Sequence, residues 1–564
     1  MAEKKWRIKS QDQAICNKIA DQLKIDPIIA HLLLNRQITS LNQAKEFISS
    51  ARDKTQSFPS EWIDAAVAIL SALPKQATIL LYGDYDVDGI TSTTLSTEIL
   101  TACGFNVEFY IPHRFNDGYG LGTNIFDLVE QHKPDLVMTL DCGITNVNEF
   151  TQLKTTHPSI KIMILDHHKI PETQPPADVI INPKALPNQH PLSELCTAGI
   201  AYVFFEAIIT KLSIDVDIKK QLDLVALGTI ADVAILKDEN RRLTILGLNQ
   251  LAKQPRPGIK ALLDVSDHQS PTVTVRDIGF GIAPRLNAAG RLADARICVD
   301  LLLKSSIDEA MPLATKLNTL NMERQAIGKQ IMAEIETYLA ENPSILHQPA
   351  IVVAGRNWHR GIIGIAAARL SDTYHRPTII ISYDDETATG SARSIPTVDV
   401  YELIKTCAHH CLKFGGHRQA AGFSLKPDMV TPFIDDLRAA SIAMITEEQL
   451  VPIIDIDCKV TEKHLNLDMT QSLAQLEPFG HGNPAPVFYT NALTAVDYRL
   501  VGNGAHLKAT FTDHTNTVVI DAIGFKLADK LPKLKNKPCE LVFQLERNHW
   551  RGTDSAQLNL IDIK

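Results

Sequence analysis

The chain lacks any uninterrupted apolar run of about 18 residues, the length a membrane-spanning helix needs, so no membrane span is expected. Its opening, MAEKKWRIKSQDQ, has no apolar stretch of the kind a secretory signal carries. Cysteine is sparse and scattered: nine residues, with no CxxC pair. That argues against a disulfide framework and fits reduced thiols in the cytoplasm. Positive charge is not in excess. Lys and Arg number 56 against 65 Asp and Glu, a formal net charge of −9. Such a balance argues against a protein that coats nucleic acid non-specifically. It leaves room for local basic grooves and for an acidic site offset by bound metal. No internal repeat and no low-complexity tract is present. What remains is an ordinary globular chain of 564 residues, 45% hydrophobic and 21% charged. That length suggests roughly three or four domains.

Residues 1–50 read as short helices, "DQAICNKIADQL" and "SLNQAKEFISSA", the second with Ser40 or Asn42 as N-cap. From about residue 60 to 235 strands and helices alternate. The strands "ATILLYG", "NVEFYIP", "DLVMTLD", "IKIMILD" and "DVIIN" are continuous apolar runs, not alternating ones. Burial on both faces, in a mostly parallel sheet of an α/β fold, explains that pattern. In 305–342, Leu313, Leu317, Leu320, Ile327, Ile331, Ile335 and Leu339 recur at helical spacing, which predicts a long amphipathic connecting helix. A second α/β region follows at 343–446, with strand "PAIVVAG", helix "IGIAAARLSDTY" and strand "PTIIIS". After "PFGHGNPAPVF" the pattern turns all-β: "HLKATFTD", "TVVIDAIGF", "CELVFQLERNHW" and "AQLNLIDIK" suggest a small barrel.

The chemistry concentrates where the apolar runs stop. After "ATILLYG" come Asp84, Asp86 and Asp88, then Gly89. The spacing imitates the first half of a calcium loop, but the twelfth position is Leu95 and a strand precedes it, so that reading fails. "PDLVMTLDCG" ends in Asp141, "KIMILDHH" in Asp166, His167 and His168, and "VALGTIADVA" places Asp232. The carboxyl ends of neighbouring parallel strands face one crevice, so these residues should converge. So many carboxylates need a counter-charge. The set is oxygen-rich with some imidazole and no thiolate, which suits Mn²⁺ or Mg²⁺. Two cations roughly 4 Å apart would clamp an in-line phosphoryl displacement, with Asp141 as the bridging candidate. The plainer reading of a single Asp at a strand end is a helix N-cap, and it stays open for Asp232. Asp166 reads as a partner that orients His167.

"GDYDVDGITS", "LDCG" and "LDHH" resemble the successive motifs of the DHH/DHHA1 phosphoesterase superfamily. "PHRFNDGYGLG", "PRLNAAGRL", "LNTLNMERQ", "WHRGIIGIAAARL", "SARS", "FGGHRQAAG" and "EPFGHGNPAP" are similar to its RecJ family of single-stranded-DNA-specific exonucleases. The resemblance implies a helical segment over 1–50, a DHH catalytic domain over 51–304, a connecting helix over 305–342, a DHHA1 domain over 343–446 and an OB-like domain over 447–564. It implies a 5′→3′ exonuclease on single-stranded DNA, dependent on Mn²⁺ or Mg²⁺, acting in recombination and mismatch repair. Carried over by motif, Asp86, Asp88, Asp141, His167 and Asp232 are metal ligands. The resemblance would make Asp84, His168 and Asp141 catalytic, with Asp84 standing where other branches place a histidine.

Substrate contacts are expected in the second lobe. Gly415 and Gly416 can present backbone N–H groups as a phosphate nest beside His417 and Arg418, and Ser391, Arg393 and Ser394 can add to it. A plain turn and a surface charge are the alternative, and the resemblance favours binding. It also makes Arg114 and Arg291 candidates for a 5′-terminal phosphate. "CAHHC", Cys407 to Cys411, looks like a zinc knot. Four ligands in five consecutive residues of an expected helix cannot face one tetrahedral centre, so a helix with a buried cysteine face is the reading. Tyr498, Lys508, Phe511 and Arg547 are candidates for strand binding in the β-rich end. The resemblance implies single-strand binding protein and a helicase as partners; a monomer is expected. A nanoRNA or cyclic-dinucleotide phosphodiesterase lacks the β-rich domain. A scaffold protein like the Cdc45 group would have lost ligands, and a soluble pyrophosphatase needs no such domain.

Overall fold

The computed structural model describes residues 4–49, 56–118, 120–253, 255–268, 270, 272–535, 538–550 and 552–564. The last two residues expected in the "SLNQAKEFISSA" helix fall outside them. The chain folds into two compact units. The smaller is built mainly from residues 284–294 and 312–454. The larger holds 6–283, 295–311 and 455–564.

The larger unit contains a five-stranded parallel sheet: β1 (Thr78–Gly83), β2 (Asn106–Tyr110), β3 (Leu136–Leu140), β4 (Lys161–Leu165) and β5 (Val179–Ile181). Every residue of β3 is buried, as its unbroken apolar run requires. The strand order is β2-β1-β3-β4-β5. The order reverses at β1 and β3, and the crevice at such a switch point is where open α/β sheets bind ligands. Three helices pack nearby: α1 (Val87–Ala102), α2 (Thr197–Leu212) and α3 (Leu222–Ala231). Twelve of the sixteen residues of α1 are buried, so its sequence shows little amphipathic period.

The smaller unit takes most of the long helix α4 (Ile307–Glu341), which carries Pro312 in its first turns. Five strands follow: β6 (Ile351–Arg356), β7 (Thr378–Tyr383), β8 (Ala388–Arg393), β9 (Cys411–His417) and β10 (Ala420–Leu425), in the order β9-β10-β8-β7-β6. Only β6 and β7 run parallel. Helix α5 (Arg360–Tyr374) connects them.

The C-terminal sheet joins β11 (Phe488–Val501), β12 (His506–Thr512), β13 (Val519–Gly524), β14 (Pro538–Trp550) and β15 (Thr553–Ile563). Strand β14 also pairs with β11. Its core is shared with the N-terminal helices. Ile19, Ile29, Leu32, Leu33 and Ala44 pack with Phe488, Phe511, Leu541 and Phe543. Ser40, not Asn42, caps the third of these helices: its hydroxyl accepts the Gln43 N–H at 3.3 Å and Gln43 returns a bond.

Candidate active site

Each acidic residue sits where an element begins or ends. Asp84 follows β1 directly. Asp86 caps α1, its Oδ1 accepting the N–H groups of Asp88 and Gly89 at 2.9 and 3.1 Å. Asp88 lies in the first turn of α1, yet its carboxylate serves a different helix. It accepts the Thr197 N–H at 2.6 Å and the Ala198 N–H at 2.9 Å, at the positive end of α2. Asp141 follows β3 with φ 66°, a left-handed backbone that costs a non-glycine residue energy and collects at functional sites. Asp232 ends α3 instead of capping a helix start, which removes the N-cap reading for it.

The expected residues do converge. Three groups bring their ligand atoms within 4.8 Å of one another: Asp88, His167 and Asp232; Asp84, Asp86 and Asp141; and Asp141, His167 and His168. His167 Nε2 lies 3.2 Å from Asp141 Oδ1 and 4.0 Å from Asp88 Oδ2. Asp141 therefore touches both halves of the cluster. Asp166 orients His168, not His167: it accepts from His168 Nδ1 at 2.7 Å and from Ile144 N–H at 3.1 Å. That corrects the sequence expectation.

Electrostatics shows a site built for cations. Burial, then the charge of Asp86, drives the Asp84 carboxyl well above its usual range. Burial, then Asp88, Asp86 and Asp84, does the same to Asp141. Burial followed by Asp88 and Asp86 pushes Asp232 up to about 8. Burial depresses the His167 imidazole, which suits a neutral nitrogen ligand. Burial opposes charge on His168 as well, but the Asp166 hydrogen bond and the charges of Asp166, Asp84 and Asp86 win, pushing it up to about 9. Asp84 Oδ1 is buried without a hydrogen-bond partner. A buried orphan oxygen among mutually repelling carboxylates fits a divalent cation, and hard oxygen donors with imidazole suit Mn²⁺ or Mg²⁺.

Several contributors escaped the sequence. Thr197 donates its hydroxyl to Asp141 at 3.0 Å while its N–H holds Asp88. Asn182 donates to the His168 carbonyl at 2.9 Å. His481, in "PFGHGNPAP", bonds the Val233 carbonyl through Nδ1 at 2.8 Å, and its own carbonyl accepts the Leu236 N–H at 2.7 Å. The β-rich end thereby grips the chain just past Asp232, where Val233 takes φ 58°. A β-branched residue holds that conformation only when its surroundings impose it.

The remaining candidates divide between the units. In the larger one, the Arg114 guanidinium lies 5.1 Å from the centre of the Tyr85 ring. In the smaller one, Arg291 Nη1 donates to the Gly361 carbonyl at 2.6 Å. A Cβ built on Gly364 would lie 2.9 Å from Ser391 Oγ and 3.1 Å from Arg393 Nη2. Arg291, Ser391 and Arg393 thus gather at the first turns of α5, a helix start with a favourable field for anions. The expected glycine nest is absent. Gly415, Gly416 and His417 lie in β9, Gly416 with φ 142°, and pair with Gly422, Ala421 and Ala420 in the β9–β10 hairpin. "CAHHC" is not a helix either: a single 3₁₀ turn, Ala408–His410, runs into β9. Phe511 is fully buried in the core, so it is no stacking platform, and Arg547 is ion-paired with Asp554. Tyr498 packs partly buried against the same core, and Lys508 pairs across to Arg499 and Ile523 within the sheet.

Three family profiles match this chain: the DHH family, N-terminal domain, over 78–229; the DHHA1 domain over 347–441; and the RecJ OB domain over 456–562. The single-stranded-DNA-specific exonuclease RecJ of Haemophilus influenzae is 33% identical, across 98% of this chain and 98% of its own. The chain belongs to the RecJ exonuclease family. Bacillus subtilis RecJ is 32% identical over 99% of this chain and 70% of its own. The crystal structure of Thermus thermophilus RecJ in complex with Mn²⁺ matches with a TM-score of 0.83 at 26% identity, covering 99% of this chain and 79% of that one. The metal in that RecJ agrees with the oxygen and imidazole donors gathered here. Among the described residues no helix is long and apolar enough to cross a membrane.

Proposed function

We propose that this chain hydrolyses single-stranded DNA stepwise from the 5′ end, in recombination and repair, mismatch repair included. The observation that carries the reading is the convergence of Asp84, Asp86, Asp88, Asp141, His167, His168 and Asp232 at the switch point of a RecJ-family chain. Asp86, Asp88, Asp141, His167 and Asp232 would hold the cations, with Asp141 belonging to two of the three groups. Bound there, Mn²⁺ or Mg²⁺ supplies positive charge against the phosphoryl oxygens and acidifies the attacking water. The chain's own residues set the geometry. Thr197 fixes Asp88 and Asp141 against each other. Asp84 adds a carboxylate with an unused buried oxygen. Asp166 occupies the Nδ1 of His168 and orients its ring for a phosphate oxygen. Arg291, Ser391 and Arg393 at the start of α5, and separately Arg114, bind phosphate. Gly415, Gly416 and His417 offer the β9 edge to the strand. Single-strand binding protein and a helicase are the proposed partners, the cytoplasm the compartment, and the monomer the working form.

The test is degradation of 5′-phosphorylated, 3′-labelled single-stranded DNA with Mn²⁺, Mg²⁺ or EDTA, beside duplex DNA, a blocked 5′ end and Asp141→Ala. Stepwise shortening from the 5′ end is expected with metal only. Asp141→Ala should lose about 10³-fold or more, equivalent to several kcal/mol of transition-state charge stabilisation. A strand that is bound but intact with every metal would replace the enzyme with a scaffold.

A further inference from the structure

The turn between helix Val400–Lys405 and β9 carries His409 and His410, and neither has a part in the chemistry above. Both reach one carboxylate. His410 Nε2 lies 2.8 Å from Asp436 Oδ2, and His409 Nε2 lies 3.3 Å from the same oxygen. The three ligand atoms fall within 4.8 Å of one another. Asp436 belongs to helix Val430–Met444, one turn after the buried Phe433. The His410 ring meets Phe433 edge-on, centroids 6.3 Å apart, and only 13% of its side chain is exposed. The His409 ring lies 4.0 Å from it, centroid to centroid, and faces solvent.

We propose that His409, His410 and Asp436 form a second metal site, selective for a borderline-soft divalent ion such as Zn²⁺, with one position open to solvent. Zn–N and Zn–O bonds of about 2.0–2.1 Å put the ligand atoms of a tetrahedral centre about 3.3 Å apart, which the His409–Asp436 spacing of 3.3 Å matches and to which the 2.8 Å His410–Asp436 hydrogen bond must open. Two imidazoles and one carboxylate favour Zn²⁺ over the hard ions that suit the acidic cluster. Neither Cys407 nor Cys411 joins the three clustered ligand atoms, and the Cys411 thiol faces the Cys407 carbonyl at 3.8 Å. A bound ion ties the start of edge strand β9 to helix Val430–Met444.

Full-length protein stripped with EDTA is titrated with Zn²⁺ alone, and bound zinc is counted after gel filtration. Parent, His409→Ala, His410→Ala and Asp436→Asn are compared, each also in an Asp141→Ala/His167→Ala background that cripples the acidic cluster. Each change at the turn should remove one Zn²⁺ per chain in both backgrounds and shrink the Zn²⁺-induced rise in melting temperature. Mn²⁺-dependent hydrolysis should stay unchanged in His409→Ala. His410 packs on the core, so the exposed His409 is the deciding position, with His409→Gln as a second replacement. Equal zinc in parent and His409 variants overturns the proposal. So does zinc that disappears with the Asp141 and His167 changes alone.

Discussion

Asp232 shows how one carboxyl couples metal, pH and stability. Its ordinary value is 3.8, and burial beside Asp88 and Asp86 raises it to about 8. In the metal-free protein the folded state therefore keeps a proton that the unfolded chain releases from about pH 4 upward. Stability falls as pH rises through that window, up to about 8. His168, raised to about 9 from 6.5, adds a loss of the same sign at higher pH. A bound cation displaces these protons and offsets the carboxylate repulsion. The melting temperature of metal-free protein should thus drop between about pH 5 and 8, and Mn²⁺ should raise it more at pH 8 than at pH 6. Asp232→Asn should flatten the metal-free slope. A pH-independent gain from Mn²⁺ would contradict the assignment.

Helices α1, α2 and α3 meet at Gly228. A Cβ there would lie 2.6 Å from Thr91 Oγ1, 2.7 Å from Ala198 Cβ and 2.9 Å from Asp88 Oδ1. The missing side chain leaves room for the Asp88 carboxylate where it accepts the N–H groups at the start of α2. Gly228→Ala should cost about 1–3 kcal/mol by overpacking. It should also weaken Mn²⁺ binding by pushing Asp88 off the Thr197 and Ala198 N–H groups. Gly279→Ala is the control, because a Cβ there meets nothing within 4 Å. Urea unfolding and Mn²⁺ titration would read both effects, and unchanged Mn²⁺ affinity in Gly228→Ala would refute the link.

Across the full length of the chain, the two ends of the sequence build one core. The N-terminal helices supply Ile19, Ile29, Leu32 and Leu33 to a core that also holds Phe488, Phe511, Leu541 and Phe543. A fragment of residues 455–564 should therefore lack a cooperative thermal transition. Joining residues 1–49 to it through a flexible linker should restore one. Circular dichroism melting distinguishes the two, and a cooperative transition in the short fragment would show that the sheet is self-sufficient. The grip of His481 on Val233 extends the same logic, because the β-rich end supports the backbone beside Asp232.

The parallel sheet and the acids at its strand ends were legible in local pattern. Buried parallel strands demand unbroken apolar runs, so an aspartate that ends one is conspicuous and its position in the crevice follows. The long helix was equally legible, because its period is local. Which carboxylate faces which partner was settled only by the folded chain. Asp88 serves α2 from a distance of 109 residues through Thr197, and no local pattern marks that threonine. The Gly415–Gly416 pair reads locally as a turn, but pairing with β10 makes it strand. "CAHHC" reads locally as a helix, but the fold gives it one 3₁₀ turn, Ala408–His410, with Cys411 opening β9. Phe511 has the chemistry of a stacking platform, and only its packing in the core shared by the C-terminal sheet and the N-terminal helices buries it. Local composition fixes what a segment can do; the partners that satisfy its polar groups and cover its apolar ones are chosen across the fold.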